Sequence, residues 1–129
     1  MAAKQYFRPW LLRHMKDESE NHDQCIALSI YVGLNPIARI ECVGHLHEKA
    51  YELTFLYTYR NYCRLGIARY LLELAEKEMK YWGAEMVYVT PIRMSGENLP
   101  DITDDELVDI YEHLGFHKAN FRMEKYMNI

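Results

Sequence analysis

The sequence predicts an α/β fold (α+β mixed): a central mixed, mostly antiparallel sheet with one parallel strand-helix-strand crossover and helices on both faces. Three observations predict it. Strand-length apolar runs bounded by turn residues fill residues 25–58, an amphipathic helical stripe follows directly, and a further strand comes after that helix. At 129 residues the chain is expected to be one domain, 1–129, long enough to bury a core without staples.

Residues 9–20 read as a short helix, with Pro9 at its start, Trp10, Leu11 and Met15 apolar, and charge following. Asn-His-Asp at 21–23 is a loop. Residues 25–32 read as a strand, 33–36 (Gly-Leu-Asn-Pro) as a turn, 37–47 as the hairpin partner, and 50–58 as a third strand. From about Leu65 to Trp82, Ile67, Ala68, Leu71, Leu72, Ala75, Met79 and Trp82 form one apolar stripe at helical period. Gly83 suits a left-handed stop. Residues 85–90 are another strand, ended by Pro91, and 92–102 are irregular. A helix over 103–114 is opened by the Thr103-x-x-Glu106 capping box and closed by Gly115. Residues 116–127 read as a final hairpin or bent strand pair. The strand-helix-strand unit over 50–90 calls for a right-handed parallel crossover.

The net charge of -4 leaves no basic footprint for nucleic acid and mildly favours a cationic or amine-bearing partner. Cys25, Cys42 and Cys63 are odd in number and form no Cys-x-x-Cys pair, which fits a reducing cytoplasm. The first twenty residues carry no signal-like apolar core, and no run approaches the ~18 apolar residues of a membrane span. A soluble cytoplasmic protein is expected.

The chemistry centres on residues 59–79, Tyr-Arg-Asn-Tyr-Cys-Arg-Leu-Gly-Ile-Ala-Arg and the helix they open. A helix N-terminus exposes unpaired N–H groups and partial positive charge, and a tight turn through Gly66 and Ala68 lets those amides approach a phosphate. Arg60, Arg64 and Arg69 surround the turn. Taken alone, a Gly-x-Ala step is more often an ordinary turn with solvated arginines.

In context the stretch resembles the GCN5-related N-acetyltransferase (GNAT) family, which uses acetyl-coenzyme A. The family's Gln/Arg-x-x-Gly-x-Gly/Ala loop looks like Cys63-Arg64-Leu65-Gly66-Ile67-Ala68. Residues 52–58 (Glu-Leu-Thr-Phe-Leu-Tyr-Thr) resemble its acyl-binding strand, and 109–116 (Asp-Ile-Tyr-Glu-His-Leu-Gly-Phe) its tyrosine-bearing helix. The resemblance spans 25–127, with the segment before the first strand shorter than usual. It implies acetyl-coenzyme A bound between strands 50–58 and 85–90, by the backbone of Leu56 and Thr58 and by the loop Cys63, Arg64, Leu65, Gly66, Ile67, Ala68 and Arg69. It also implies Tyr111 as general acid for the departing sulfur, and Glu52 as a general base, directly or through water. The acceptor would be an amine on a small molecule or a protein, and a homodimer is an arrangement the analogy offers.

Two positions depart from the family pattern: Cys63 stands where Gln or Arg is usual, and Asp104 where many members carry an Asn on the pantetheine arm. They favour the rival reading, a GNAT-fold interaction module with a lapsed cofactor site. Cys63, near a helix N-terminus beside Arg64, is in a setting that lowers a thiol pKa. His45 and His47 share a face of the expected strand, but with no third ligand near in sequence an ordinary polar face is the better reading, and no metal is expected.

Overall fold

A computed structural model describes residues 13–127. Its elements are β1 (Met15–Asp17), β2 (Cys25–Val32), β3 (Asn35–His45), β4 (Ala50–Thr58), α1 (Ile67–Tyr81), β5 (Met86–Val89), α2 (Asp104–His113), β6 (His117–Ala119) and β7 (Arg122–Tyr126). They build one mixed sheet in the order β1-β2-β3-β4-β5-β7-β6. Every neighbouring pair is antiparallel except β4 and β5, which α1 joins as a parallel crossover.

Two boundaries differ from the sequence expectation. The helix expected over 9–20 falls partly on residues outside the described ones. Residues 13–14 are helical, and then Met15–Asp17 pairs with β2 as a strand. An edge ladder to Ile30, Ser29 and Leu28 outweighs the local helical pattern there. The second strand of the hairpin begins at Asn35 rather than 37, because Pro36 sits opposite Tyr31 where the register already shifts. Helices are expected on both faces of the sheet, and residues 9–12 of the first expected helix lie outside the described residues.

Both described helices pack on one face. On α1, Ile67, Leu71, Leu72, Ala75 and Met79 are almost fully buried against Ile26, Ile30, Ile40 and Cys42 of the sheet. Each such leucine contributes about 2 kcal/mol of apolar burial. Tyr111, Leu114 and Phe116 join the same core from α2 and the turn after it. A Lys125–Glu76 ion pair at 2.8 Å ties β7 to α1, and the Arg69 guanidinium donates to the His113 carbonyl oxygen, tying α1 to the end of α2. Gly83 and Gly115 both take positive φ where the helices end.

The expected capping box is formed: Glu106 N–H donates to Thr103 Oγ1 at 3.1 Å, and Thr103 N–H donates to Glu106 Oε1 at 3.0 Å. Thr103→Ala should therefore destabilise the protein by about 1 kcal/mol in urea unfolding. An unchanged midpoint would mean that tertiary contacts alone hold the first turn of α2.

Candidate functional site

The parallel pairing of β4 with β5 is short: it runs through Ala50, Tyr51 and Glu52 and goes no further. Beyond Glu52 the strands part, and a cavity of about 260 Å³ opens between them. Leu53, Leu56, Val89, Ile102, Leu107 and Tyr111 are among the residues that line it. Its wall is mostly apolar, suited to a thin flexible chain rather than to a charged group.

A bulge aims the side chains of β4. Glu41 lies opposite Phe55 and Cys42 opposite Leu53, so Thr54 is the extra residue, its hydroxyl donating to Glu41 O at 3.1 Å. Leu53, Leu56 and Thr58 consequently face the helices, while Phe55 and Tyr57 turn to the far face. The Thr58 hydroxyl oxygen is buried with no hydrogen-bond partner among the described residues.

The chain leaves β4 through a single 3₁₀ turn at Arg60–Tyr62. Arg60 does not point to the helix start. Its N–H donates to Asn98 O, and its guanidinium donates to Glu97 O at 3.3 Å and Leu99 O at 3.0 Å, holding the 97–99 loop. Arg64 at φ +66° and Gly66 at φ +83° then reverse the backbone into α1. Gly66 is the N-cap, with no side-chain cap and no acidic residue in the first turn. The first-turn amides of α1 are thus left to an outside acceptor. Gly66 supplies the left-handed conformation that a side chain resists. Leu65 packs on the core and Ile67 is buried, so both anchor the turn and leave contact with a ligand to its backbone.

Arg64 is exposed, and its charge reaches Glu106 at the start of α2, helping the Thr103 cap to hold that carboxyl below its usual range. Arg69 is committed to His113 O and braces the tyrosine helix against α1. Cys63 corrects its sequence expectation: burial pushes the thiol up, and Arg64 only partly offsets this. Its Sγ folds back to within 3.5 Å of the Thr58 and Tyr59 carbonyl oxygens, a position of a small packing residue rather than a thiolate.

Tyr111 reaches the cavity from α2. It is 6% exposed, packs edge-on against Phe116 with ring centroids 5.6 Å apart, and has no hydrogen-bond partner for its hydroxyl among the described residues. Burial pushes its pKa up to about 12, so the proton stays on the oxygen at neutral pH.

Glu52 and Asp104 lie outside the cavity wall. Glu52 stands on the far face at the last paired position, its Oε1 3.5 Å from His45 Nε2, beside Tyr88. Asp104 is exposed and paired to Arg93 Nε at 2.7 Å. His47 sits in the 3₁₀ turn Leu46–Glu48, not on the strand with His45, so the shared histidine face does not form.

Sequence reasoning missed a second cavity of about 250 Å³ on the far side, walled by Phe55, Tyr57, Tyr59, Met94 and Glu97. Its signal was present as Phe-x-Tyr-x-Tyr at 55–59, an alternation that puts three rings on one side of an extended chain.

Residues 1–116 match the acetyltransferase (GNAT) family, a match that extends upstream of the first strand. No curated protein matches the chain in sequence. Among solved structures, the PaiA N-acetyltransferase from Thermoplasma acidophilum, in complex with coenzyme A, is similar at 24% identity and a TM-score of 0.63, over 81% of this chain and 62% of its own. Nourseothricin acetyltransferase is similar at 11% identity and a TM-score of 0.64, over 81% and 66%. Tetrahymena GCN5 is similar at 14% identity and a TM-score of 0.61, over 98% and 84%. At these identities the likeness is one of fold, and the chain spans less than two thirds of the first two proteins.

Proposed function

Because the chain belongs to the acetyltransferase (GNAT) family, we propose that it is an N-acetyltransferase, a single domain over 1–129 that transfers acetyl from acetyl-coenzyme A directly to an amine on a small molecule or a protein. The observation that carries this reading is the parting of β4 from β5 after Glu52, which opens an apolar cavity lined by buried Tyr111, with the uncapped start of α1 following a few residues beyond the end of β4.

The residues fit the cosubstrate. The apolar wall of Leu56, Val89, Ile102 and Leu107 suits a pantetheine arm, and the unpartnered Thr58 hydroxyl and the β4 backbone suit its amides. The turn of Cys63, Arg64, Leu65 and Gly66, with the first amides of Ile67, Ala68 and Arg69 and no acidic side chain among them, suits a diphosphate. Acetyl-coenzyme A supplies, when bound, an acetyl thioester whose carbonyl carbon forms the new C–N bond as the C–S bond breaks. Tyr111 holds its proton at Oη until about pH 12 and delivers it to the departing sulfur. Glu52, set back beside His45 and outside the cavity wall, takes the amine proton through water. Arg69 works at one remove, bracing the end of α2 and with it Tyr111. The three free thiols fit a reducing compartment such as the cytoplasm, and no helix among the described residues is long and apolar enough to cross a membrane.

Asp104, committed to Arg93, and Cys63, with its raised thiol pKa, favour a second reading as an interaction module without cofactor. A thermal-shift titration separates the two. Acetyl-coenzyme A at about a hundred times its Kd adds about 2.7 kcal/mol to the folded state, a rise of roughly 10 °C for a domain of this size. No rise at millimolar ligand would leave the interaction module as the working reading.

A further inference from the structure

Three successive carbonyl oxygens of one loop converge on a single residue. Arg60 donates from its backbone N–H to Asn98 O at 2.8 Å, and from one guanidinium nitrogen, Nη2, to Glu97 O at 3.3 Å and Leu99 O at 3.0 Å. The loop it grips, residues 92–102, lies in no strand or helix and makes a turn of its own from Leu99 N–H to Gly96 O at 3.2 Å. Arg93, near the start of the loop, closes its base: Nε is 2.7 Å from Asp104 Oδ1, and Nη1 donates to Ile102 O at 3.4 Å. The ends are thus drawn together as in an Ω-loop, with one arginine at the tip and another at the base.

This loop is one side of the apolar cavity between β4 and β5, to which it gives Ile92, Met94, Leu99, Pro100 and Ile102. No ladder or helix fixes those side chains, so the shape of the wall depends on what grips the backbone. The Arg93–Asp104 pair is exposed on both sides and contributes little by itself. The two bonds from the Arg60 guanidinium have a charged donor and are the stronger tie. A wall populated only part of the time binds its ligand more weakly by that fraction.

We propose that Arg60 is a positioning residue for the cosubstrate: through the 97–99 carbonyls it preforms the wall on which the pantetheine arm rests, and it does not act on the diphosphate. The inference rests on the acetyltransferase reading for its ligand, while the grip on the loop exists without one. Asp104 gains a part in the same device, as the base of the loop rather than as a ligand contact.

The test compares native chain, Arg60→Met and Arg60→Lys; position 60 is exposed, and its backbone bond to Asn98 needs no side chain. In the ligand-free protein, amides of the 96–99 loop should exchange roughly tenfold faster in Arg60→Met. By titration calorimetry, acetyl-coenzyme A should bind Arg60→Met roughly tenfold more weakly. Adenosine diphosphate, which has a diphosphate and no pantetheine arm, should bind both chains alike. Arg60→Lys, with its charge on a shorter stem, should recover only part of the exchange protection and of the affinity. Unchanged acetyl-coenzyme A affinity in Arg60→Met overturns the inference, as does an equal loss for acetyl-coenzyme A and adenosine diphosphate, which is the mark of a diphosphate contact. Full affinity in Arg60→Lys without restored protection also overturns it, since charge alone would then suffice. Failure of the native chain to bind acetyl-coenzyme A would instead remove the transfer reading, and the exchange rates would still report whether Arg60 holds the loop.

Discussion

Gly66→Glu is expected to erase the rise in melting temperature that acetyl-coenzyme A gives the native chain. Two effects combine at this position. The N-cap at φ +83° forces any side chain into left-handed geometry, costing about 1 kcal/mol. The new carboxylate also stands at a helix start with no acidic residue in its first turn, where the diphosphate is proposed to sit. Like charges about 4 Å apart repel by about 4 kcal/mol at an effective dielectric near 20, more than a hundredfold in Kd. The conformational cost is small beside the total stability of a domain, so the variant should still fold. Gly66→Ala carries the strain without the charge and should lose far less affinity. If the thermal shift survives in Gly66→Glu, the diphosphate lies elsewhere.

Tyr111→Phe is expected to lower kcat by roughly 100-fold or more while leaving acetyl-coenzyme A affinity unchanged, the pattern of a lost general acid. The ring keeps its edge-on contact with Phe116, and the hydroxyl leaves no partner behind among the described residues, so stability near pH 7 should hold within about 1 kcal/mol. A second readout distinguishes this from a packing role. Burial raises the folded pKa to about 12 from the ordinary phenol value of 10.0, so the protonated phenol stabilises the fold fully below pH 10.0. That contribution is lost as pH climbs toward about 12. It amounts to roughly 3 kcal/mol at about 1.4 kcal/mol per unit. The native protein should lose urea stability over this window more steeply than Tyr111→Phe does. Native-like turnover in the variant would remove Tyr111 from the acid role.

The elements with strong local signals were legible. The strand 50–58 ends where its apolar run meets the Tyr59-Arg60 step, and the helix 103–114 begins at its capping box, because both signals act within a few residues. Residues 13–17 were not legible as helix end and strand: β1 exists only because β2 offers it a ladder. Within the site, the Gly66 turn was readable since positive φ has few tolerant residues. The commitments of Arg60 to the 97–99 loop and of Arg69 to His113 were not, because both partners lie more than 35 positions away in sequence. Cys63 was misjudged for a related reason. A helix start and a neighbouring arginine are visible in sequence, but the burial that outweighs them is not.

The sequence by itself determined the family, the order of strands and helices, and the loop that opens α1, since periodicity, caps and a glycine at positive φ are local properties of the chain. Only the tertiary structure decided where β4 and β5 part, that the Thr54 bulge splits Leu56 and Thr58 from Phe55 and Tyr57, and that the aromatic row meets the 96–99 loop. Those are matters of register and of which distant segment is packed alongside, and a one-residue shift in pairing reverses the face that every later side chain presents.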